Sequence, residues 1–140
     1  MNTAAETRSV VVERDLAHPP EKLWRALTQP HLIADWLMQN DFAPVVGHKF
    51  KLGGEWGGVL DCEVLEVEPQ KTLAYTWDFA NDDPKFALKS VVTFTLTPTP
   101  TGTHLRMEQA GFRTDQKQAL GGAVHGWNGF FDKLDQVAAR

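Results

Sequence analysis

The sequence predicts an α+β fold in which a curved antiparallel β-sheet wraps around one long C-terminal helix. Three observations predict it. From residue 47 to residue 111, runs of alternating apolar and polar residues follow one another with only turns between them, the pattern of consecutive hairpins. The segment from Leu120 to Ala138 then changes to a helical period with bulky rings on one side. The remaining helical signals are two short stretches directly after the first strand. A sheet with one buried face needs a cover, and the C-terminal helix is the only predicted element long enough to supply it.

Residues 8–17 read as the first strand, opening with Val10-Val11-Val12. His18-Pro19-Pro20 ends it. Pro19 and Pro20 suit the first turn of a helix, where a missing N–H costs nothing, and Glu21 sits favourably at the positive end of the helix dipole. Leu23, Trp24 and Leu27 mark the apolar side of a short helix that ends near Thr28. Pro30 opens a second, with Leu32, Ile33, Trp36 and Leu37 at helical spacing. Residues 41–46 read as loop. Strands follow at 48–53, 59–67, 72–79, 88–97 and 103–111, with Leu73, Tyr75, Trp77 and Phe79 giving the cleanest alternation. A glycine-rich hairpin around Trp56 joins the first two of these, as a flexible loop able to gate a cavity. On the last helix, Leu120, Val124, Trp127, Phe131, Leu134 and Ala138 fall within about 40° of one direction at 3.6 residues per turn. That stripe is expected to be buried, with His125 and Asp132 exposed.

A chain of 140 residues with 42% hydrophobic residues has the size of one domain and can build a core without disulfides or a structural metal. One domain over residues 1–140 is expected, with residues 1–8 as a flexible tail. A net charge of -4 and no Lys/Arg run argue against nucleic acid as a partner. No stretch approaches the ~20 apolar residues of a membrane span, and no apolar leader is visible, so no membrane partner and a cytoplasmic location are expected. Cys62 is the single cysteine, which leaves no intrachain disulfide and reads as a small buried hydrophobe. No two of the five histidines have the i, i+4 spacing of a helical zinc site, so no metal and no cofactor are expected. Gly53, Gly54, Gly57 and Gly58 join two strands without a following helix or a Lys-Ser/Thr pair, so they are no phosphate loop. Ser9 and Ser90 lack a nucleophile motif. Asp61, Glu63, Glu66 and Glu68 read as a solvated strand face.

Several segments, taken in order, resemble the activator of heat-shock-protein-90 ATPase homologue-1-like family of the START/Bet v 1-like (SRPBCC) superfamily. Pro20-Glu21-Lys22-Leu23-Trp24-Arg25-Ala26-Leu27-Thr28 is similar to the family's "P-E-x-V-W-x-A-L-T" helix. Leu32-Ile33-Ala34-Asp35-Trp36 resembles its "L-x-x-W" segment. Val64 to Pro69 with Leu73 to Trp77 resembles "V-x-E-V-x-P…L-x-Y-T-W". Val92 to Leu96 with Gly102 to Leu105 resembles "V-T-F-x-L…G-T-x-L", and Gly126-Trp127 matches a "G-W" on the last helix. The resemblance spans residues 10–134 and implies the helix-grip fold, often with an internal cavity. Superfamily members include ligand carriers, cyclases, hydroxylase domains and chaperone co-factors. The chaperone activators carry a further N-terminal domain, which no segment here resembles.

Five Trp and eight Phe beside one Tyr suggest a deep interior or an apolar cavity. Trp24 and Trp36 read as packing anchors of the short helices. Trp77, Met107, Trp127 and Phe131 are the expected pocket wall, with Trp77 and Trp127 facing one another across a space between sheet and helix. Tyr75 and Gln109 would each add a polar contact, or the Tyr75 hydroxyl would bond to nearby backbone. No catalytic residue is assigned. The leading expectation is non-enzymatic binding of a small hydrophobic molecule. A co-chaperone-like or stress-related domain contacting a chaperone or other protein is the alternative, and a cyclase- or hydrolase-like enzyme the second. A monomer or a homodimer joined at a sheet edge is expected.

Overall fold

The computed structural model describes residues 7–54, 58–83 and 86–140. Strand β1 (Thr7–Leu16) leads into helices α1 (Pro20–Thr28) and α2 (Pro30–Trp36). Strands β2 (Gln39–Asn40), β3 (Lys49–Gly53), β4 (Val59–Glu68), β5 (Thr72–Phe79), β6 (Leu88–Thr99) and β7 (Gly102–Arg113) follow, and helix α3 (Lys117–Ala138) closes the fold. The seven strands form one antiparallel sheet in the order β1-β7-β6-β5-β4-β3-β2. This is the helix-grip architecture the patterning predicts. Strand β2 was not predicted, because two residues are too few to show an alternation. Of the expected tail, Thr7 and Arg8 already belong to β1, and the rest lies outside the described residues. So does Trp56, with the tip of its hairpin.

Local chemistry sets the element ends. Pro20 and Pro30 each occupy the first turn of their helix, and Gln29 serves both as C-cap of α1 and N-cap of α2. The indole of Trp36 donates to the Ala26 carbonyl at 2.8 Å, so it pins α2 onto α1 as an anchor. Between β4 and β5, Gln70 takes the left-handed conformation at φ 63°.

Two bulges decide which side chains face inward. On β4, Val64 pairs with Tyr75 but Glu66 with Ala74, so Leu65 is the extra residue and turns outward, 43% exposed. On β7, Ala110 pairs with Ser9 and Phe112 with Arg8, leaving Gly111 unpaired at φ 124°. The inward set Leu105, Met107, Gln109 therefore continues at Phe112 instead of residue 111. A Cβ at Gly111 would lie 2.5 Å from the Lys89 carbonyl, which explains the glycine.

The concave face packs against α3. The helix is held on β1 by the Arg14–Asp132 ion pair at 2.6 Å and on the β1–α1 connection by the His18–Asp135 contact at 2.7 Å, and Arg140, just past its end, bridges to Asp35 of α2. Trp127, Phe131, Leu134, Val137 and Ala138 are buried. His125 and Asp132 are exposed, as the stripe implies. Val124 corrects it: this side chain is 43% exposed. It lies about 60° round the helix from Trp127. The buried arc is centred on the other flank, through Ala123 and Phe130, which pack against the core. At that level the flank carrying Val124 is left open to solvent.

Candidate functional site

The N-terminal half of α3 stands over the outer ends of β5, β6 and β7 and leaves two adjacent spaces. The slot, about 220 Å³, is lined on the sheet side by Trp77, Leu88, Gln109 and Phe112 and on the helix side by Ala119, Gly122, Ala123, Gly126, Trp127 and Phe130. The groove, about 800 Å³, runs between Leu60, Trp77, Phe79, Phe86 and Leu88 and the first turn of α3, with Asp115 and Lys117 among its lining residues. Trp77, Leu88 and Ala119 belong to both and form the boundary between them.

The slot exists because of four small helix residues at i, i+3, i+4 and i+7, which form one face of an α-helix. A Cβ built on Gly122 or Gly126 meets nothing within 4 Å. On the sheet side the wall is aromatic and buried. Trp77 and Trp127 do not stand apart across a cavity, as the sequence suggested. Their ring centroids are 5.2 Å apart, and they touch and close the interior. The open space lies along their flank.

Beneath the rings runs a directional hydrogen-bond chain. The Trp127 indole N–H donates to Gln109 Oε1 at 2.8 Å, Gln109 Nε2 donates to Ser90 Oγ at 3.0 Å, and Ser90 Oγ donates to the Trp77 carbonyl at 2.7 Å. An indole nitrogen only donates, so the oxygen of the Gln109 amide must face Trp127 and its nitrogen must face Ser90. The chain ties α3 to β7, β6 and β5 at the floor of the slot.

The six expected contact residues therefore divide. Trp77, Gln109 and Trp127 line the slot. Met107 and Phe131 are fully buried in the core beneath it. Tyr75 packs with Phe42, Phe50 and Phe94, away from the slot, and among the described residues Phe94 links it to Trp127. The expected backbone bond to its hydroxyl is not formed among the described residues. Burial, and then the nearby Cys62 sulfur, raise the Tyr75 hydroxyl well above its ordinary value. Burial, then the carboxylates of Asp78, Asp61 and Asp41, push the Cys62 thiol up to about 12, so it stays protonated.

Leu88, Phe112 and the small helix face were not anticipated. The spacing of Ala119, Gly122, Ala123 and Gly126 was visible in the sequence. The inward turn of Phe112 was not, because it depends on the bulge. Among the described residues, no cluster of three or more His, Cys, Asp or Glu could hold a metal ion. No helix among them is long and apolar enough to cross a membrane.

No curated protein matches the chain. Among solved structures it is similar to protein MLL2253 from Mesorhizobium loti, at 71% identity and a TM-score of 0.93 over 95% of this chain and 98% of that one. It is also similar to BH1534 from Bacillus halodurans, at 25% identity and a TM-score of 0.79 over 94% and 96% of the two chains. CalU16 from Micromonospora echinospora is similar at 25% identity and a TM-score of 0.79, over 98% of this chain and 80% of that one. These folds agree with the strand order and helix placement described above. The model of the activator of Hsp90 ATPase homolog 1-like protein family matches residues 17–139, and the chain belongs to that family, within the START/Bet v 1-like superfamily.

Proposed function

We propose that this protein binds a small hydrophobic molecule, without catalysing its conversion, in the slot and groove between α3 and the outer ends of β5 to β7. The observation that carries this reading is the slot itself, where Trp77, Phe112 and Leu88 of the sheet face a helix surface on which Ala119, Gly122, Ala123 and Gly126 leave room beside Trp127 and Phe130. Sites for small apolar molecules are concave and mostly apolar, with few polar groups. Burial there contributes at ~25 cal/mol per Å² of apolar surface. No ionisable side chain is among the residues lining the slot, and the two in the groove, Asp115 and Lys117, are exposed to solvent, which supports binding over a cyclase- or hydrolase-like activity. The family includes proteins that bind hydrophobic ligands, which agrees with this reading.

The test is a fluorescence titration with flat hydrophobic probes, alongside native mass spectrometry of freshly purified protein. Binding should change the tryptophan emission, because two of the slot's walls are indoles. Trp127→Phe should keep binding and lose much of the signal. Gly126→Leu should grow into the slot and weaken binding by about tenfold or more, with the urea midpoint unchanged or raised. A Gly126→Leu protein that binds like the wild type, or a wild type that binds no probe, would remove the slot from consideration. The surface-interaction reading would then take its place.

A further inference from the structure

We infer that the ligand carries a hydrogen-bond acceptor oxygen, of the carbonyl kind, at its inner end, and that Gln109 reads it. This rests on the slot being the binding site and names the chemistry it selects.

The argument is a count of hydrogens. A glutamine amide carries two N–H donors and one carbonyl oxygen. The oxygen of Gln109 is engaged by Trp127, and one N–H is engaged by Ser90. The Ser90 hydroxyl proton is committed to the Trp77 carbonyl, so Ser90 can only accept from Gln109, and the direction of the chain is fixed. The second N–H of Gln109 has no acceptor among the described residues. Gln109 is 2% exposed, so bulk water does not reach it freely, and it is one of the residues lining the slot. A buried donor left without a partner costs free energy comparable to a lost hydrogen bond. An apolar strand position opposite Val10 and Val92 would ordinarily take an aliphatic residue. A glutamine there supplies a donor at the floor of an otherwise apolar slot.

An apolar molecule with no acceptor leaves that donor unpaired on binding, whereas one with an inward oxygen satisfies it. Discrimination of this kind, against the analogue lacking the polar atom, is strong where the site's own group is buried. The small residues of α3 and the apolar rings around them leave the body of the ligand to be recognised by shape alone.

The test uses a matched pair of probes, fluorene and 9-fluorenone, which share a flat apolar frame and differ by one carbonyl. The wild type should bind fluorenone about tenfold more tightly than fluorene, the worth of one buried hydrogen bond. Gln109→Leu removes the donor, and the preference should fall to within about twofold. Gln109→Leu also leaves the Trp127 indole without its acceptor, so Trp127→Phe is measured beside it. That variant keeps the amide donor and should keep the preference. The readout is the ratio of the two affinities, which a general loosening of the slot does not move. Equal binding of both probes by the wild type would overturn the inference and leave the binding reading standing, and so would a preference that survives Gln109→Leu. Failure of both probes to bind would count against the binding site itself.

Discussion

At the scale of single residues, backbone and charge each set a local outcome that can be measured. Gly111 lets β7 shift its inward set, and it holds φ 124° with the Lys89 carbonyl where a Cβ would stand. Gly111→Ala should destabilise the fold by roughly 1–3 kcal/mol, seen as a lower urea midpoint at unchanged slope. It should also disturb the slot, because Phe112 reaches it through this bulge. His104 stands between Glu13, at 2.9 Å from Nε2, and Asp15, at 2.8 Å from Nδ1. Both ring nitrogens meet carboxylates, so both are best served by protons. The hydrogen bonds to Glu13 and then Asp15 raise its pKa above 6.5. Arg106, two residues along β7, faces the same side and pairs across the strands with Glu13. The sign follows from linkage. A raised folded value means that the contribution to stability is fully present below pH 6.5 and is lost as pH rises through the folded value. An NMR titration should place the His104 midpoint above that of an unstructured histidine. Glu13→Gln together with Asp15→Asn should return it to the ordinary range.

At the scale of elements, α3 has two unlike halves. Its C-terminal half carries Trp127, Phe131, Leu134, Val137 and Ala138, all buried, and is tied to β1 by the Arg14–Asp132 ion pair and to the following connection by the His18–Asp135 contact. Its N-terminal half has Gly121, Gly122 and Gly126, no side-chain cap and no acidic residue in the first turn. Gln116 spends its side chain on the Ala87 carbonyl and the Arg113 N–H instead of capping the helix. The first half is thus held less firmly, and it is the half that covers the slot. Amide hydrogen exchange should be faster before Gly126 than after it. Gly121 and Gly129 are exposed, and a Cβ on either meets nothing. Alanine at each should raise stability by roughly 0.5–1 kcal/mol, read from the urea midpoint, and leave probe binding intact.

At the scale of the whole molecule, one buried cluster joins the sheet to all three helices, running from Val10 through Trp36, Phe94 and Trp127 to Ala138. Trp36 meets Phe94 edge-on at 6.2 Å, and Phe94 meets Trp127 at 5.7 Å, so α2, β6 and α3 share a single layer of rings. Phe131 lies in this cluster with no exposed surface. Phe131→Ala should cost about 3–5 kcal/mol. Because the cluster is continuous, tryptophan fluorescence and far-UV circular dichroism should report the same transition. A loss well under 1 kcal/mol would show that the site can collapse around the missing ring.

The sequence by itself determined the order of elements, because strand and helix periods are local and each strand of useful length shows its own alternation. Strand β5 is legible to the residue in Leu73, Tyr75, Trp77 and Phe79, and the helix starts are written in Pro20 and Pro30. It also placed Trp77, Gln109 and Trp127 on inward faces, since parity along a strand and angle around a helix require only counting. The tertiary structure alone decided what those faces meet. Two bulges change the parity at Leu65 and Gly111, and neither leaves a periodic trace. The touching indoles, the hydrogen-bond chain through Ser90 and the turn of Phe112 into the slot all join residues far apart in the chain. Such contacts depend on register and on how far α3 leans over the sheet, and these are settled by packing the whole core at once.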